Sequence, residues 1–281
     1  MCGRYTLTVP ARDLSERFGV HVPERYEPRY NAAPRQSLPV VRTGVDVDDE
    51  HDEEGHGGHD DAASEAATGA RDGDGVGVAF HEWGLVPSWV DEPDDAARPI
   101  NARSETVREK RSFREAFERR RCLVPADGFY EWVERGGGKQ PYRVTLGDES
   151  VFAMAGLYEV WEGEVAQSSL AAFGAGSGDD AGSGDDAGSG DGAGSDGDDR
   201  RRRVESFTVL TTEPNDVVAD LHHRMAVVLD REDESTWLRG DPDEAASLLE
   251  PYGGDMRSYP VSTAVNDPGN ESPGLLDAVE V

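Results

Sequence analysis

The residue with the most unusual reactive potential is Cys2, which directly follows the initiator methionine in the opening MCGRYTLT. Initiator methionine is usually removed when the next residue is small. Removal would leave Cys2 with an α-amine and a thiol on adjacent carbons, a 1,2-aminothiol that no internal cysteine can form. Ordinary pKa values are about 7.7–8.0 for the amine and about 8.5 for the thiol, so both groups are nearly reactive at neutral pH. The simpler interpretation is a cysteine that stands at a frayed terminus by chance.

Other polar side chains gather in short stretches along the chain. Asn101 opens NARSET, Glu131 follows an apolar run in RCLVPADGFYEW, and His222 precedes MAVVL. Each has a structural alternative, since Asn101 could cap a helix, Glu131 could form a salt bridge, and His222 could be a structural histidine. A buried Glu131 would instead have a raised pKa suited to acid–base chemistry. The remaining stretches are CGRY, RYNAAP, WGLVPSW and LTTEPN.

The elements that must position these groups are strands and short helices without a βαβ rhythm. This pattern predicts an α+β domain built on antiparallel sheet rather than a doubly wound fold. The stretches VGVAFHEWGLV, PYRVTLGDESVFAMAGLYEVW and SFTVLTTEP are typical of strands joined by turns. DLSERFGV and PDEAASLLEPY predict short helices. SETVREKRSFREAFERRR has helical spacing, with Val107, Phe113 and Phe117 on one face.

Two acidic inserts interrupt this pattern and supply most of the net charge of −30. Residues 45–75 hold 12 acidic side chains and one Arg, and residues 162–199 hold 10 acidic side chains and no basic one. Because both inserts are poor in large apolar side chains, they predict long disordered loops. We therefore predict a single domain over residues 1–270, followed by a tail at 271–281. The domain consists of ordered pieces 1–44, 76–161 and 204–270, an acidic insert 45–75 and a Gly/Ser/Asp-rich insert 162–203.

Both inserts contain residues with a second interpretation. His51, His56 and His59 suggest metal binding, although incidental histidines in a solvated acidic loop explain them equally simply. The run of four arginines at 200–203 either offsets the acidic residues before it or forms a basic docking patch.

The remaining composition indicates a cytoplasmic protein without membrane association. The chain has two cysteines, no 18-residue apolar run and no signal peptide, which favours free thiols in a reducing compartment. Cys122 is expected to be a small buried residue at the start of a strand. Abundant Asp and very few Lys fit a halophilic, salt-rich cytoplasm. From its net charge alone, a protein this acidic should be repelled by nucleic acid, which is also negatively charged.

Six stretches resemble, in the same order, the motifs of the SOS response-associated peptidase family, also called abasic site processing proteins. They are MCGRY, RYNAAP, WGLVPSW, NARSET, RCLVPADGFYEW and HHRMAVVL. The resemblance covers all three ordered pieces, and the inserts have no counterpart in it. Ala226 departs from the pattern, because the family usually has proline there. The resemblance implies a single domain that acts in DNA damage as a monomer, without cofactor or metal. Its partner would be single-stranded DNA containing abasic sites, with the protein nucleoid-associated when bound.

The resemblance implies a covalent role for Cys2. Its amine would form a Schiff base with the ring-opened deoxyribose aldehyde, and its thiolate would then close a stable thiazolidine. An internal cysteine would give only a labile hemithioacetal, and a lysine only a hydrolysable imine that promotes strand cleavage. By the same resemblance, Asn101 holds the sugar, Glu131 acts as general acid and base, and His222 assists proton transfer, with His223 the less favoured partner.

The resemblance also implies a DNA-binding surface beside these groups. Arginines would contact phosphates flanking the lesion, an aromatic ring and a proline would stack on or wedge beside bases, and threonines would orient the site. The residues so assigned are Arg4, Arg103, Arg224, Trp83, Pro87, Thr211 and Thr212. Considered alone, Trp83 and Trp89 are also typical of a hydrophobic core.

Three other functions are compatible with parts of this pattern. An N-terminal-nucleophile hydrolase, such as a glutamine amidotransferase, also uses a cysteine behind the initiator methionine. A peptidase, of the kind the family name describes, could use Cys2, Glu131 and His222 to remove its own N-terminal residue. A non-catalytic single-strand binding module would not need an exposed Cys2.

Overall fold

The computed structural model describes residues 3–45, 75–164 and 201–281. Strands dominate these ranges and the helices are short, which confirms the α+β class. The strands are β1 (Tyr5–Leu7), β2 (Arg29–Ala32), β3 (Ser37–Thr43), β4 (Val76–Trp83), β5 (Asn101–Arg103), β6 (Arg121–Ala126), β7 (Gly128–Arg135), β8 (Gly138–Leu146), β9 (Phe152–Glu164), β10 (Arg201–Thr212), β11 (Met225–Ala226), β12 (Val228–Leu229) and β13 (Met256–Pro260). The helices are α1 (Ala11–Phe18), α2 (Arg114–Arg119), α3 (Asp216–Ala219), α4 (Glu234–Arg239) and α5 (Pro242–Ser247), with 3-10 turns at Thr263–Asn266 and Pro273–Leu276.

One sheet is entirely antiparallel and contains the first described strand, β1. Its strand order is β13-β8-β7-β1-β2. Strand β1 pairs with β7 in the register Tyr5↔Phe129, and β7 pairs with β8 in the register Glu131↔Tyr142. The short first strand is therefore held between β2 and the strand that carries Glu131.

The second sheet closes on itself. Its order is β11-β10-β4-β3-β6-β9-β12, and β10 also pairs with β9, so that β10, β4, β3, β6 and β9 form a ring. Closure leaves these five strands without an open edge along the ring. Most pairs are antiparallel, but β10 runs parallel to β4 and β5, and the β5 register Val209↔Asn101 places Asn101 beside β10.

Large aromatic side chains join the two sheets. Tyr5 of the first sheet packs on Trp83 of the second, with ring centroids 5.3 Å apart, and Trp83 stacks on Phe207 at 6.0 Å. All three side chains are fully buried. Their burial fixes the first strand against the strands that carry the other predicted site residues.

The predicted helices are found, with one correction. The helices predicted in DLSERFGV and PDEAASLLEPY correspond to α1 and α5. The long helix predicted from SETVREKRSFREAFERRR is wrong over its first half, where consecutive turns precede the six-residue α2. Val107, Phe113 and Phe117 are nevertheless all buried. At about 100° per residue, six positions separate Val107 from Phe113 by about 240°, so one straight helix would not bury both on one face.

Each acidic insert connects two neighbouring antiparallel strands. The first follows the β3–β4 pair at Thr43↔Val76, and the second follows the β9–β10 pair at Arg201↔Glu164. Strand β9 thus continues three residues past the predicted start of the second insert, and β10 begins three residues before its predicted end. Apart from Val45 and Gly75, the rest of the two predicted disordered loops lies outside the described residues.

The segment separated above as a tail packs onto the domain. Leu275 is buried, and the Val279 N–H donates to the Pro260 carbonyl at 2.9 Å. Glu271 accepts a hydrogen bond from the Tyr30 N–H at 2.8 Å and pairs with Arg29 at 3.2 Å. These contacts attach the last residues to β2 and β13.

Candidate active site and nucleic-acid interface

The start of the described chain lies beside Glu131. The Tyr130 N–H donates to the Arg4 carbonyl at 3.0 Å, next to the Tyr5↔Phe129 pair. Continuing this antiparallel register places Gly3 level with Glu131. Cys2 itself lies outside the described residues, and it is one peptide bond upstream of Gly3.

Glu131 is a buried carboxyl group whose pKa lies near neutral pH. Its side chain is 2% exposed, between the fully buried Tyr130 and the half-buried Trp132. Burial raises the pKa of Glu131 to about 7, because a desolvated carboxylate is less stable than the neutral acid. A carboxyl group with this pKa is present in both its acidic and its basic form at pH 7, as a general acid–base catalyst requires.

Asn101 begins β5, so it is not the helix cap that was the structural alternative. It is half-buried and pairs with Val209 of β10. The Trp83 indole N–H donates to the carbonyl of Ile100, the residue before Asn101, at 2.9 Å. The ring contact between Tyr5 and Trp83 therefore links the first strand directly to the segment that carries Asn101.

Trp83 is a core residue, which corrects its assignment as a base-stacking platform. Its side chain is fully buried, with rings of Tyr5 and Phe207 against it. Pro87 is also buried. The exposed aromatic ring of this motif is Trp89, 46% exposed, with the Arg111 guanidinium 4.0 Å above it. The sequence contained Trp89 in WGLVPSW, but nothing in the motif distinguished the exposed tryptophan from the buried one.

His222 follows helix α3 with a defined ring orientation. Its Nδ1 lies 3.0 Å from the Arg224 backbone nitrogen and 3.1 Å from the Arg224 carbonyl oxygen, so these contacts fit either tautomer of the neutral ring. Burial lowers the pKa of His222, which favours this neutral form. The His223 ring lies beside it, with centroids 4.2 Å apart. His222 thus presents a neutral ring rather than a fixed positive charge.

Arg224 connects two of the motifs instead of facing solvent. Its guanidinium binds Glu105 through two hydrogen bonds of 2.5 and 3.0 Å, and a third reaches the Thr211 carbonyl at 2.5 Å. The hydrogen bond from Arg224 lowers the pKa of Glu105. This pair holds NARSET against the end of β10. A DNA phosphate would have to replace Glu105 to bind Arg224.

The other predicted DNA contacts differ in their accessibility. Arg103 is exposed, whereas Arg4 is half-buried and donates to Asn31 Oδ1 and the Val265 carbonyl, both at 2.8 Å. Thr211 and Thr212 are buried, and the Thr212 hydroxyl donates to the Leu249 carbonyl at 3.1 Å. Arg103 is therefore the predicted contact most available to a phosphate.

The strand partner of Thr211 is Ala226, where the family pattern usually has proline. Ala226 is fully buried in β11 and pairs directly with Thr211. The departure from the family pattern thus leaves the two-residue strand paired beside Arg224.

Cys122 and the arginines at the start of β10 lie within the described ranges. Cys122 is fully buried in β6, as expected, and burial raises the pKa of its thiol.

Arg202 pairs with Asp94 at 2.7 Å, and Arg203 pairs with Glu205 at 2.7 Å, so these arginines offset nearby acids rather than forming a free basic patch.

Within the three described ranges, no group of three or more His, Cys, Asp or Glu side chains could hold a metal ion. The histidines of the first insert lie outside these ranges. None of the helices there combines the length and apolar character needed to cross a bilayer.

Comparison with solved structures supports the fold. A crystal structure of a protein from Bacteroides thetaiotaomicron matches with a TM-score of 0.69 at 24% identity, covering 99% of this chain and all of that one. A protein from Bordetella bronchiseptica matches with a TM-score of 0.62 at 21% identity, covering 93% of this chain and all of that one. At these identities the likeness concerns architecture alone.

Sequence comparison identifies the family. The model of the family described as SOS response associated peptidase (SRAP) matches residues 1–268. The chain is 32% identical to the abasic site processing protein YoqW of Bacillus subtilis, covering 99% of this chain and all of that protein. It is 28% identical to the abasic site processing protein HMCES of Gallus gallus, covering 92% of this chain and 68% of that protein. The chain belongs to the SOS response associated peptidase family.

Proposed function

We propose that this protein processes abasic sites in single-stranded DNA by forming a covalent thiazolidine with the lesion through Cys2, after removal of Met1. The observation that carries the proposal is Glu131, a buried carboxyl group with a pKa of about 7, level with the residue that follows Cys2. The names of the relatives, which are abasic site processing proteins, support the substrate class. Shielding the lesion from strand cleavage would be the role in DNA damage.

The proposed reaction joins one aminothiol to one aldehyde and releases one water. The Cys2 α-amine adds to C1′ of the ring-opened deoxyribose, giving a carbinolamine. Protonated Glu131 donates its proton to the carbinolamine hydroxyl, which leaves as water and produces an iminium. The Cys2 thiol returns a proton to the Glu131 carboxylate, and the thiolate attacks the iminium carbon. A new C–S bond closes the five-membered ring, and Glu131 is restored to its acid form.

His222 and Asn101 would act on the sugar before this step. Opening the deoxyribose hemiacetal removes the proton of the C1′ hydroxyl and adds one to the ring oxygen. Neutral His222 is suited to accept the hydroxyl proton, while the acid form of Glu131 donates to the ring oxygen, and the proton then returns from His222 to Glu131 through solvent before the amine adds. The half-buried Asn101 amide, held by the Trp83 hydrogen bond to Ile100, would orient the sugar.

Single-stranded DNA would be bound by an exposed cation and an exposed aromatic ring. Arg103 follows Asn101 on β5 by two residues and is exposed, so it is placed to contact a phosphate close to the lesion. Trp89, partly covered by the Arg111 guanidinium, presents the ring on which a neighbouring base would stack. Both interactions tolerate any sequence, as expected of a protein that recognises a missing base.

We expect Trp89→Ala to weaken binding to intact single-stranded DNA by about 1–3 kcal/mol, roughly 5- to 150-fold, because one stacking contact is lost. The thermal unfolding midpoint should hardly change, since the side chain is 46% exposed. Trp83→Ala is the matched comparison, and it should lower the unfolding free energy by about 3–5 kcal/mol because it empties a core position. Fluorescence anisotropy with a labelled oligonucleotide measures the first effect and calorimetry the second. Unchanged affinity in Trp89→Ala would remove the stacking role.

Salt should weaken reversible binding more than it lowers the final cross-link yield. Phosphate contacts lose affinity steeply with salt, because the release of counterions from DNA becomes less favourable. A covalent bond, once formed, does not depend on ionic strength. A KCl series should therefore give a steep slope for equilibrium binding to intact strands and a shallow slope for cross-link yield at completion. Equal slopes at completion would contradict this.

The proposed function is tested by mixing the protein with a single-stranded oligonucleotide that bears one abasic site and analysing the product on a denaturing gel. A lesion-dependent band that survives heating supports the proposal. No band from protein that mass spectrometry shows to have lost Met1 would favour the hydrolase or peptidase alternatives. Removal of its own N-terminal residue is compatible with the proposal, because Cys2 becomes reactive only when Met1 has left.

A further inference from the structure

The C-terminal segment 261–279 converges with the first strand on one side chain, Asn31. Asn31 is fully buried in β2. Its Oδ1 accepts from Arg4 at 2.8 Å, and its Nδ2 donates to the carbonyls of Val265, Asp267 and Asn270 at 3.2, 2.9 and 3.1 Å. The amide of Asn31 therefore uses both its acceptor and its donors to join Arg4 to the C-terminal segment.

The same segment also contacts the residues on both sides of Glu131. Trp132 donates its indole N–H to Asn266 Oδ1 at 2.8 Å. Tyr130 packs against Val265 and Leu275 in a small hydrophobic cluster, and its hydroxyl donates to the Tyr30 carbonyl at 2.9 Å. The C-terminal segment thus supports β1 through Asn31 and β7 through the neighbours of Glu131.

Only an amide fits the position of Asn31. An aspartate would keep an acceptor for Arg4 but would set a negative charge against three carbonyl oxygens. An alanine would leave the Arg4 guanidinium and the three carbonyls without this shared partner. Because Arg4 is two residues from Cys2, looser attachment of Arg4 would change where the reactive amine and thiol lie relative to Glu131.

We propose that Asn31 is a positioning residue, which fixes the first strand between β7 and the C-terminal segment so that Cys2 meets Glu131. This inference rests on the proposed function for its kinetic consequence but not for its structural one. Misplacing reacting groups by about 1 Å is enough to cost up to about 10²-fold in rate. We therefore expect Asn31→Ala to lower the maximal cross-linking rate at saturating DNA about tenfold, with little change in half-saturating DNA concentration.

The experiment is single-turnover cross-linking of the full chain, well below its unfolding temperature, combined with amide hydrogen exchange. Besides the slower rate, Asn31→Ala should speed exchange of the Tyr130 amide, which bonds to the Arg4 carbonyl, while amides of the β8–β13 pair keep their protection. If Asn31→Ala does not fold, Glu271→Ala loosens the same segment at Tyr30 and should slow cross-linking about threefold. Trp237→Phe, which removes a hydrogen bond to Cys122, is the control for general destabilisation.

A purely structural role predicts a different result. The cross-linking amplitude would then fall with stability while the rate constant stayed at the wild-type value, as in Trp237→Phe, and exchange would accelerate everywhere. That outcome would overturn the inference. If the wild-type protein formed no cross-link at all, the proposed function would fail, and Tyr130 exchange alone would decide the role of Asn31.

Discussion

Glu131→Gln should slow cross-linking by about 10²- to 10⁴-fold, the range typical for loss of a general acid–base catalyst. Glutamine has nearly the same shape but cannot exchange the proton that the carbinolamine and the thiol require. Rapid mixing with an abasic oligonucleotide and quenching in denaturant measures the rate constant. A loss smaller than about threefold would show that Glu131 does not transfer the proton.

The pH dependence of the same reaction identifies the proton. Burial raises the pKa of Glu131 to about 7, so the acid form is present below this pH and is lost as the pH rises through it. The Cys2 amine, with an ordinary pKa of about 7.7–8.0, becomes reactive as the pH rises. The wild-type rate should therefore pass through a maximum near neutral pH. Glu131→Gln should lose the falling limb and keep the rising one.

Two measurements separate this effect from a loss of structure. At pH 8, Glu131→Gln should unfold at the same temperature as the wild-type protein or at a higher one. The wild-type protein must keep an ionised Glu131 buried at this pH, and the burial of that charge destabilises the folded state increasingly as the pH rises above the ordinary glutamate pKa. Glu159→Gln changes another buried glutamate with a pKa raised by burial, paired with Arg120 at 2.9 Å. Its folded fraction should react at the wild-type rate.

Cys2→Ala should abolish the heat-stable cross-link. The variant keeps an α-amine and can form the Schiff base, but it has no sulfur to close the ring. Its adduct should therefore disappear on heating and reappear when borohydride reduces the imine before denaturation. The wild-type adduct should need no reductant. A heat-stable band from Cys2→Ala without borohydride would contradict the thiazolidine.

Cys122→Ala is the matched control for this experiment. Cys122 is the other cysteine of the chain, fully buried in β6, with the pKa of its thiol raised by burial. An inaccessible thiol that resists ionisation is a poor nucleophile. Cross-linking by Cys122→Ala should match wild type in yield and heat stability.

Local pattern indicated several of the strands and helices and narrowed the role of Glu131 to two alternatives. The position of Glu131 at the end of an apolar run left a salt bridge and a buried acid as alternatives, and β7 places Glu131 in the buried environment. The helical spacing around Phe113 and Phe117 also predicted which side chains are buried. The same reasoning extended that helix too far toward Val107, because turns and helices share short-range spacing. It likewise gave no means of separating buried Trp83 from exposed Trp89.

The connections between distant segments could not be read from the sequence. Arg224 and Glu105 are 119 positions apart, and their pairing depends on β10 reaching both motifs. The residues after 270 were separated as a tail, yet Leu275 and Glu271 attach them to the first sheet. Asn31 was visible within RYNAAP, but its four partners lie in two segments that only the fold brings together.

Intact-mass spectrometry of the purified adduct tests the covalent chemistry most directly. We expect the mass of the chain without Met1 plus the mass of the abasic oligonucleotide minus one water, unchanged by borohydride. A mass that includes Met1, or one that increases by two hydrogens on borohydride treatment, would contradict the thiazolidine at Cys2.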